Sequence, residues 1–155
     1  AGLPGMPEGR YCSFVLDGVC VVGVCIPWKS AHVSTGNRDR KIWEDHLAYL
    51  NGLGSIVRDH SEHGGRLVVC GDFNQRIPRQ KQPESVYEAL EESVLSWTNV
   101  ATSGWMHAIS DYLIDHVAVD RAAIVGSMEI IPRQHSSGLT LSDHDGVCLT
   151  LSWPM

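Results

Sequence analysis

The run "RLVVC" at 66–70 constrains the fold more than any other stretch of the chain, because it is short, apolar and rich in β-branched residues. Apolar side chains at successive positions point to both faces of a strand, so this strand has to be covered on both sides, as in a layered α/β structure. It runs without a break into Gly71-Asp72-Phe73-Asn74. In extended chain Asp72 and Asn74 lie two positions apart and project together, while Phe73 turns to the opposite face. A covered strand therefore ends by offering two polar side chains to one spot. A Gly-Asp pair after a strand also makes an ordinary turn with an Asx hydrogen bond, and the motif in isolation does not separate the two readings.

The flanking segments supply the layers. "YCSFVLDGVCVVGVCIP" reads as two strands joined at Asp17-Gly18, a strong hairpin signal, with Pro27 stopping the second. "WKSAHVSTGNRDR" is polar and irregular and reads as a loop. The spacing of Trp43, Leu47, Leu50, Leu53 and Val57 predicts a helix from about Arg40 to about Arg58, started near Asn37 or Asp39 and ended before Gly64-Gly65. A second helix fits "PESVYEALEESVLSW". "IDHVAV" and "IVGSMEII" read as strands, and "HDGVCLTLSW" as the last, with Val147, Leu149, Leu151 and Trp153 alternating against smaller or polar neighbours. The order ββ, helix, β, helix, βββ within 155 residues predicts one α/β domain over 1–155.

A net charge of −6 argues against broad electrostatic adhesion to nucleic acid or anionic membrane, but leaves room for an enzyme that meets phosphate locally through a metal. With no run of 18 apolar residues, no membrane span is expected. "AGLPGMPEGRYC" lacks the basic head and apolar stretch of a signal peptide. Five cysteines without a Cys-x-x-Cys pair read as small buried thiols in a reducing, cytoplasmic compartment.

Two further polar groups stand at strand ends, where α/β architectures usually carry their chemistry. Asp115 is planted in the apolar strand "LIDHVAV", and a carboxylate there has to meet a cation, a metal or several donors unless it faces water at the strand edge. Asp143 and His144 are adjacent in "LSDHDG", just before the final strand. Each piece alone is weak. In this order, Gly-Asp-x-Asn, then Ile-Asp, then Ser-Asp-His, they resemble the endonuclease/exonuclease/phosphatase superfamily. That superfamily includes deoxyribonuclease I, abasic-site endonucleases, neutral sphingomyelinases and inositol-polyphosphate 5-phosphatases. "RDRKIWEDHLAYL" is similar to the family helix that carries an Arg and a Trp.

The resemblance implies a layered α/β sandwich of two β-sheets flanked by helices, and hydrolysis of a phosphodiester or phosphomonoester by direct attack of water, with a nuclease favoured. Asp72 would position and help deprotonate the water, with Asn74 orienting it or the phosphate. His144 would hydrogen-bond the scissile phosphate as charge builds. Asp115 would hold the His144 ring and favour its protonated form. Asp143 would help bind a divalent cation, Mg2+ or alternatively Mn2+. Arg76, Arg79 and Lys81 would touch neighbouring phosphates or form a solvated loop. Trp105-Met106 would make a platform for a base or lipid, or cover the core edge.

The resemblance is incomplete. Relatives carry an Asn and a metal-binding Glu on earlier strands, so the chain reads as the C-terminal part of such a domain, and Glu8 and Glu44 lie in the wrong context to replace that Glu. Where relatives place a Tyr or His near Cys25 or Ile26, the chain has neither. His32 would approach the phosphate from the next loop or remain a mobile surface side chain. His60 and His63 sit at a predicted helix C-terminus, which favours imidazolium without a metal. His46, His107, His116 and His135 receive no role, and His116 should face away from Asp115. A rival reading is a catalytically incomplete fragment that binds partners or self-associates through an exposed sheet edge.

Overall fold

A computed structural model describes residue 3 and residues 9–34, 39–106 and 112–154. Strands β1 (Tyr11–Leu16) and β2 (Val19–Cys25) form the expected hairpin, with Asp17 and Gly18 both at positive φ as its tight turn requires. A one-turn helix, α1 (Ala31–Ser34), interrupts the segment expected to be loop. Helix α2 spans Glu44–Glu62, β3 Arg66–Asp72, and α3 Glu84–Leu90, which continues as a π-helical turn through Glu91–Leu95. A short strand that the sequence did not signal, β4 (Thr98–Val100), precedes β5 (Asp115–Asp120), β6 (Ile124–Ile131) and β7 (Gly146–Ser152).

Helix α2 begins four residues later than the periodicity predicts. Trp43 takes a left-handed conformation (φ 71°), which breaks the helical path, and the lead-in is held as a turn by the Lys41 N–H donating to Glu44 Oε2 and by the Arg40–Asp45 ion pair at 2.6 Å. Asn37 lies outside the described residues. The buried face is formed by His46, Tyr49, Leu50, Leu53, Gly54 and Val57, while Leu47 is exposed.

The main sheet has the order β1-β2-β3-β5-β4, with β2 and β3 parallel and the other pairs antiparallel; β6 and β7 form a separate two-stranded sheet. Two sheets with helices is the expected architecture. The helices cover one face of the main sheet, where Val22, Val24, Leu67 and Val69 pack with Tyr49, Leu50, Leu53, Val57, Leu90 and Val94. On the other face lie Val68, Cys70 and Asp72, opposite Val119, Val117 and Asp115. The end of β7 is tied to this sheet by the Trp153 indole N–H donating to Asp120 and by Arg66 donating to the Pro154 carbonyl.

Coverage of that second face stops short of the hairpin, where Phe14 is 54% and Leu16 60% exposed. This corrects the reading of the cysteines. Cys12, Cys25 and Cys148 are exposed, Cys20 and Cys70 half-buried, and all five free, because apolar strand character did not bring cover to both faces of every strand.

Candidate active site

Gly71 lets the active strand end where it does. It has φ 131°, and a Cβ there would stand 2.1 Å from the Val24 carbonyl oxygen, so only glycine allows β3 this close to β2. One residue later Asp72 accepts two hydrogen bonds from Asn74: the backbone N–H on Oδ1 (2.8 Å) and the side-chain amide on Oδ2 (2.7 Å). Asn74 is itself left-handed (φ 51°), the conformation in which an Asx turn closes. Its second amide hydrogen goes to the Ile26 carbonyl at 2.8 Å. Both amide hydrogens are thereby committed to oxygens that can only accept, which fixes the orientation of the amide and makes its carbonyl the group left to orient a water or a cation.

Strand β5 pairs antiparallel with β3 and brings Asp115 directly opposite Asp72. The Asp115 carboxylate lies 2.7 Å from His144 Nδ1, in the loop before β7. Asp72, Asp115 and His144 thus offer ligand-type atoms within 4.8 Å of one another. Burial pushes the Asp72 carboxyl above its ordinary range, the Asn74 N–H pulls it back, and the neighbouring Asp115 pushes it up again. Asp143 stands outside this group, with its side chain 95% exposed and its carboxylate 3.9 Å from His144 Nε2.

The loop after Asn74 is held by two histidines to which the sequence assigned no role. Gln75 is buried, and its amide donates to His46 Nε2 (2.8 Å) and to the Val86 carbonyl (3.0 Å). His46 Nδ1–H donates to the Pro27 carbonyl at 2.7 Å. His116 Nε2–H donates to the Gln75 carbonyl at 3.0 Å, and the Thr102 hydroxyl donates to its Nδ1 at 2.8 Å. Each ring donates once and accepts once, so both are neutral. Burial pushes each down to about 4, against the opposing pull of the carbonyls. His116 faces away from Asp115, into the interior beside Phe73, as strand alternation requires. The signal available in the sequence was an ionisable residue on an apolar helix or strand face, which indicates burial but does not indicate the partner.

The remaining candidates are dispersed. Arg76 lines a cleft with Asn74, Trp28, Lys29, Trp43, Lys81 and Gln82, adjacent to the site through Asn74. His32 is buried rather than mobile at the surface: the chain after Pro27 closes into α1, whose Ala31 N–H donates to the Trp28 carbonyl, and turns the ring inward. It lies outside the Asp72–Asp115–His144 group. Trp105 is half-buried at the end of a turn tied to the Ile77 carbonyl by the Gly104 N–H; the segment that follows it, with His107, lies outside the described residues. His63 stays at the end of α2, where its ring and the Asp59 carbonyl share a 2.7 Å hydrogen bond that, with the Asp59 charge, raises its pKa. No helix among the described residues is long and apolar enough to cross a membrane.

No family model and no curated protein sequence matches the chain. Solved structures do. A 3′ phosphatase, NExo, from Neisseria, bound to product DNA hairpin, superposes with a TM-score of 0.61 at 22% identity, over 98% of this chain and 69% of that one. An AP endonuclease from Archaeoglobus fulgidus gives 0.65 at 13% identity, over 99% and 69%. The human nocturnin catalytic domain with bound sulfate gives 0.56 at 20% identity, over 88% and 47%. The chain therefore has the fold of these proteins, two sheets with flanking helices.

Proposed function

We propose that this chain carries the catalytic residues of a divalent-metal-dependent phosphoesterase, with a nucleic-acid phosphodiester as the favoured substrate. One observation carries the reading: Asp72, Asn74, Asp115 and His144, scattered over 73 positions of sequence, converge at the strand ends of a fold shared with nucleases and phosphatases. In the reaction, Asp72 accepts a proton from a water whose oxygen attacks phosphorus, with the Asn74 carbonyl steadying that water. The P–O bond to the leaving alcohol breaks as the new one forms, and the leaving oxygen takes its proton from solvent. Asp115, its carboxylate 2.7 Å from His144 Nδ1, holds the ring so that Nε2–H faces a phosphoryl oxygen where negative charge accumulates.

The donor set fits a hard divalent cation: two facing carboxylates meet within a few ångströms, and one of them is destabilised by the other's charge. Asp143, exposed beside His144, would hold Mg2+ or Mn2+ as the resemblance implies, with the facing carboxylates of Asp72 and Asp115 as further hard oxygen donors. A bound cation would supply Lewis-acid polarisation of the phosphoryl oxygen.

The test is hydrolysis of bis(p-nitrophenyl) phosphate and of plasmid DNA with Mg2+. The chain spans 69% of the length of the Neisseria and Archaeoglobus structures, and the assay is run on the chain as it stands. His144→Ala should lower turnover by on the order of 100-fold or more, and full activity in that variant overturns the assignment. A second reading, a catalytically incomplete module that self-associates, is favoured by the exposed Phe14, Val15 and Leu16 on edge strand β1. Sedimentation separates the two: a monomer with Mg2+-dependent turnover removes the second.

A further inference from the structure

We infer that the cleft between Trp28, Trp43 and Arg76 is a nucleotide subsite, in which the base next to the scissile phosphate stacks on Trp28 while Lys29, Arg76 and Lys81 hold its phosphate. This rests on the phosphoesterase reading for where the reaction occurs, and it narrows the substrate to a nucleic-acid strand.

The cleft measures about 280 Å³ and is lined by Trp28, Lys29, Trp43, Asn74, Arg76, Lys81 and Gln82. Among the described residues its lining holds three cations and no carboxylate, in a chain whose net charge is −6. Positive charge has been gathered here against the trend of the molecule, which is the footprint of an anionic ligand. An inositol phosphate would need the cations but no aromatic wall, and a lipid tail would need a longer apolar wall than two indoles. Trp28 is 42% exposed despite the cost of wetting an indole, and π faces take any base. The volume sits just under the range of about 300 to 1,000 Å³ usual for ligand sites, room for one nucleotide.

The cleft is also built rather than incidental. Buried His46 contacts all three walls: it donates to the Pro27 carbonyl just before Trp28, accepts from Gln75 just before Arg76, and meets the Trp43 ring edge-on at 5.0 Å. The Trp43 N–H donates to the Lys29 carbonyl (2.8 Å), and the Gln82 amide donates to the Arg76 carbonyl (2.6 Å). Asn74, the residue hydrogen-bonded to Asp72, forms the common wall between cleft and reacting centre.

Binding without turnover tests this, using fluorescein-labelled oligo(dT)8 in EDTA and fluorescence anisotropy. Trp28→Ala should weaken binding by roughly tenfold or more, and Trp28→Phe should restore most of it, because the π face is kept. Lys81→Gln should lessen the slope of log affinity against log salt by about 0.7, the value for one lost phosphate contact on a single strand. An oligomer of the same length lacking bases should bind wild type and Trp28→Ala alike. Binding in EDTA is read without hydrolysis, so Trp28-dependent affinity stands even where no Mg2+-dependent turnover is found, and the failure of the subsite and the failure of the phosphoesterase reading are told apart. Unchanged oligonucleotide affinity in both Trp28→Ala and Lys81→Gln overturns the inference. So does Trp28-dependent binding of inositol hexakisphosphate or phosphatidylserine vesicles that matches the oligonucleotide's.

Discussion

Asp72, Asn74 and Gln75 are bound to the body of the protein along their loop, by Ile26, His46, Val86 and His116, whereas Asp143 and His144 sit in an exposed loop with local hydrogen bonds and contacts to Asp115 and Arg133. The two halves of one site are therefore built differently. The strand-end half is anchored by two neutral buried histidines that bond the Gln75 amide and carbonyl. The loop half is positioned mainly by one ion-pair contact to β5. Damage to the first half should register in stability, and damage to the second in chemistry alone.

The largest expected effect breaks the anchored half at its foundation. Gly71→Ala puts a Cβ against the Val24 carbonyl, and nothing short of moving two strands relieves it, so urea denaturation should show a loss above about 4 kcal/mol or no folded protein. Next is acid. His46 titrates near 6.5 when unfolded and near 4 when folded, so between those values the unfolded chain binds more protons and stability falls as pH drops. Above pH 6.5 the contribution is fully present; through pH 4 up to about 3 kcal/mol is lost, readable as a urea midpoint that declines across this window. Asp72, whose pKa is raised in the fold, acts with the opposite sign and partly offsets the decline.

Gln75→Ala removes the amide that bridges His46 and Val86, and should cost about 1 to 3 kcal/mol while also lowering oligonucleotide affinity, since Arg76 follows it. The smallest structural effect sharpens the contrast from the other side. Asp143→Asn should change stability by no more than about 0.5 kcal/mol because its side chain is almost fully exposed. Mn2+ affinity by calorimetry should nevertheless fall in Asp143→Asn and in Asp72→Asn. A fall in Asp72→Asn alone would assign the cation to the strand-end carboxylates and remove Asp143 from its coordination.

Much of this was legible in the chain. Apolar, β-rich runs marked the hairpin strands, β3, β5 and β6, and the spacing of apolar residues marked α2 and β7, because burial of one or both faces leaves its signature in the placing of apolar residues. Helix α1 and strand β4 went unmarked, since a four-residue turn and a three-residue strand are too short to show a period. The start of α2 was misplaced because a left-handed Trp carries no sequence signal.

The sequence by itself determined the order of the elements and the residue types at the strand ends, since local hydrogen bonding and apolar periodicity act over a few residues. Only the tertiary structure decided that Asp115 faces Asp72, that His144 closes on Asp115, and that His46 and His116 hold Gln75 from two sides. These contacts join positions 29 to 43 residues apart, and their existence depends on strand register and burial, which no local pattern encodes. The same reason explains the cleft beside Asn74: Trp43 and Arg76 stood out in sequence for separate reasons and Trp28 for none, and the three line one cleft only in the folded chain.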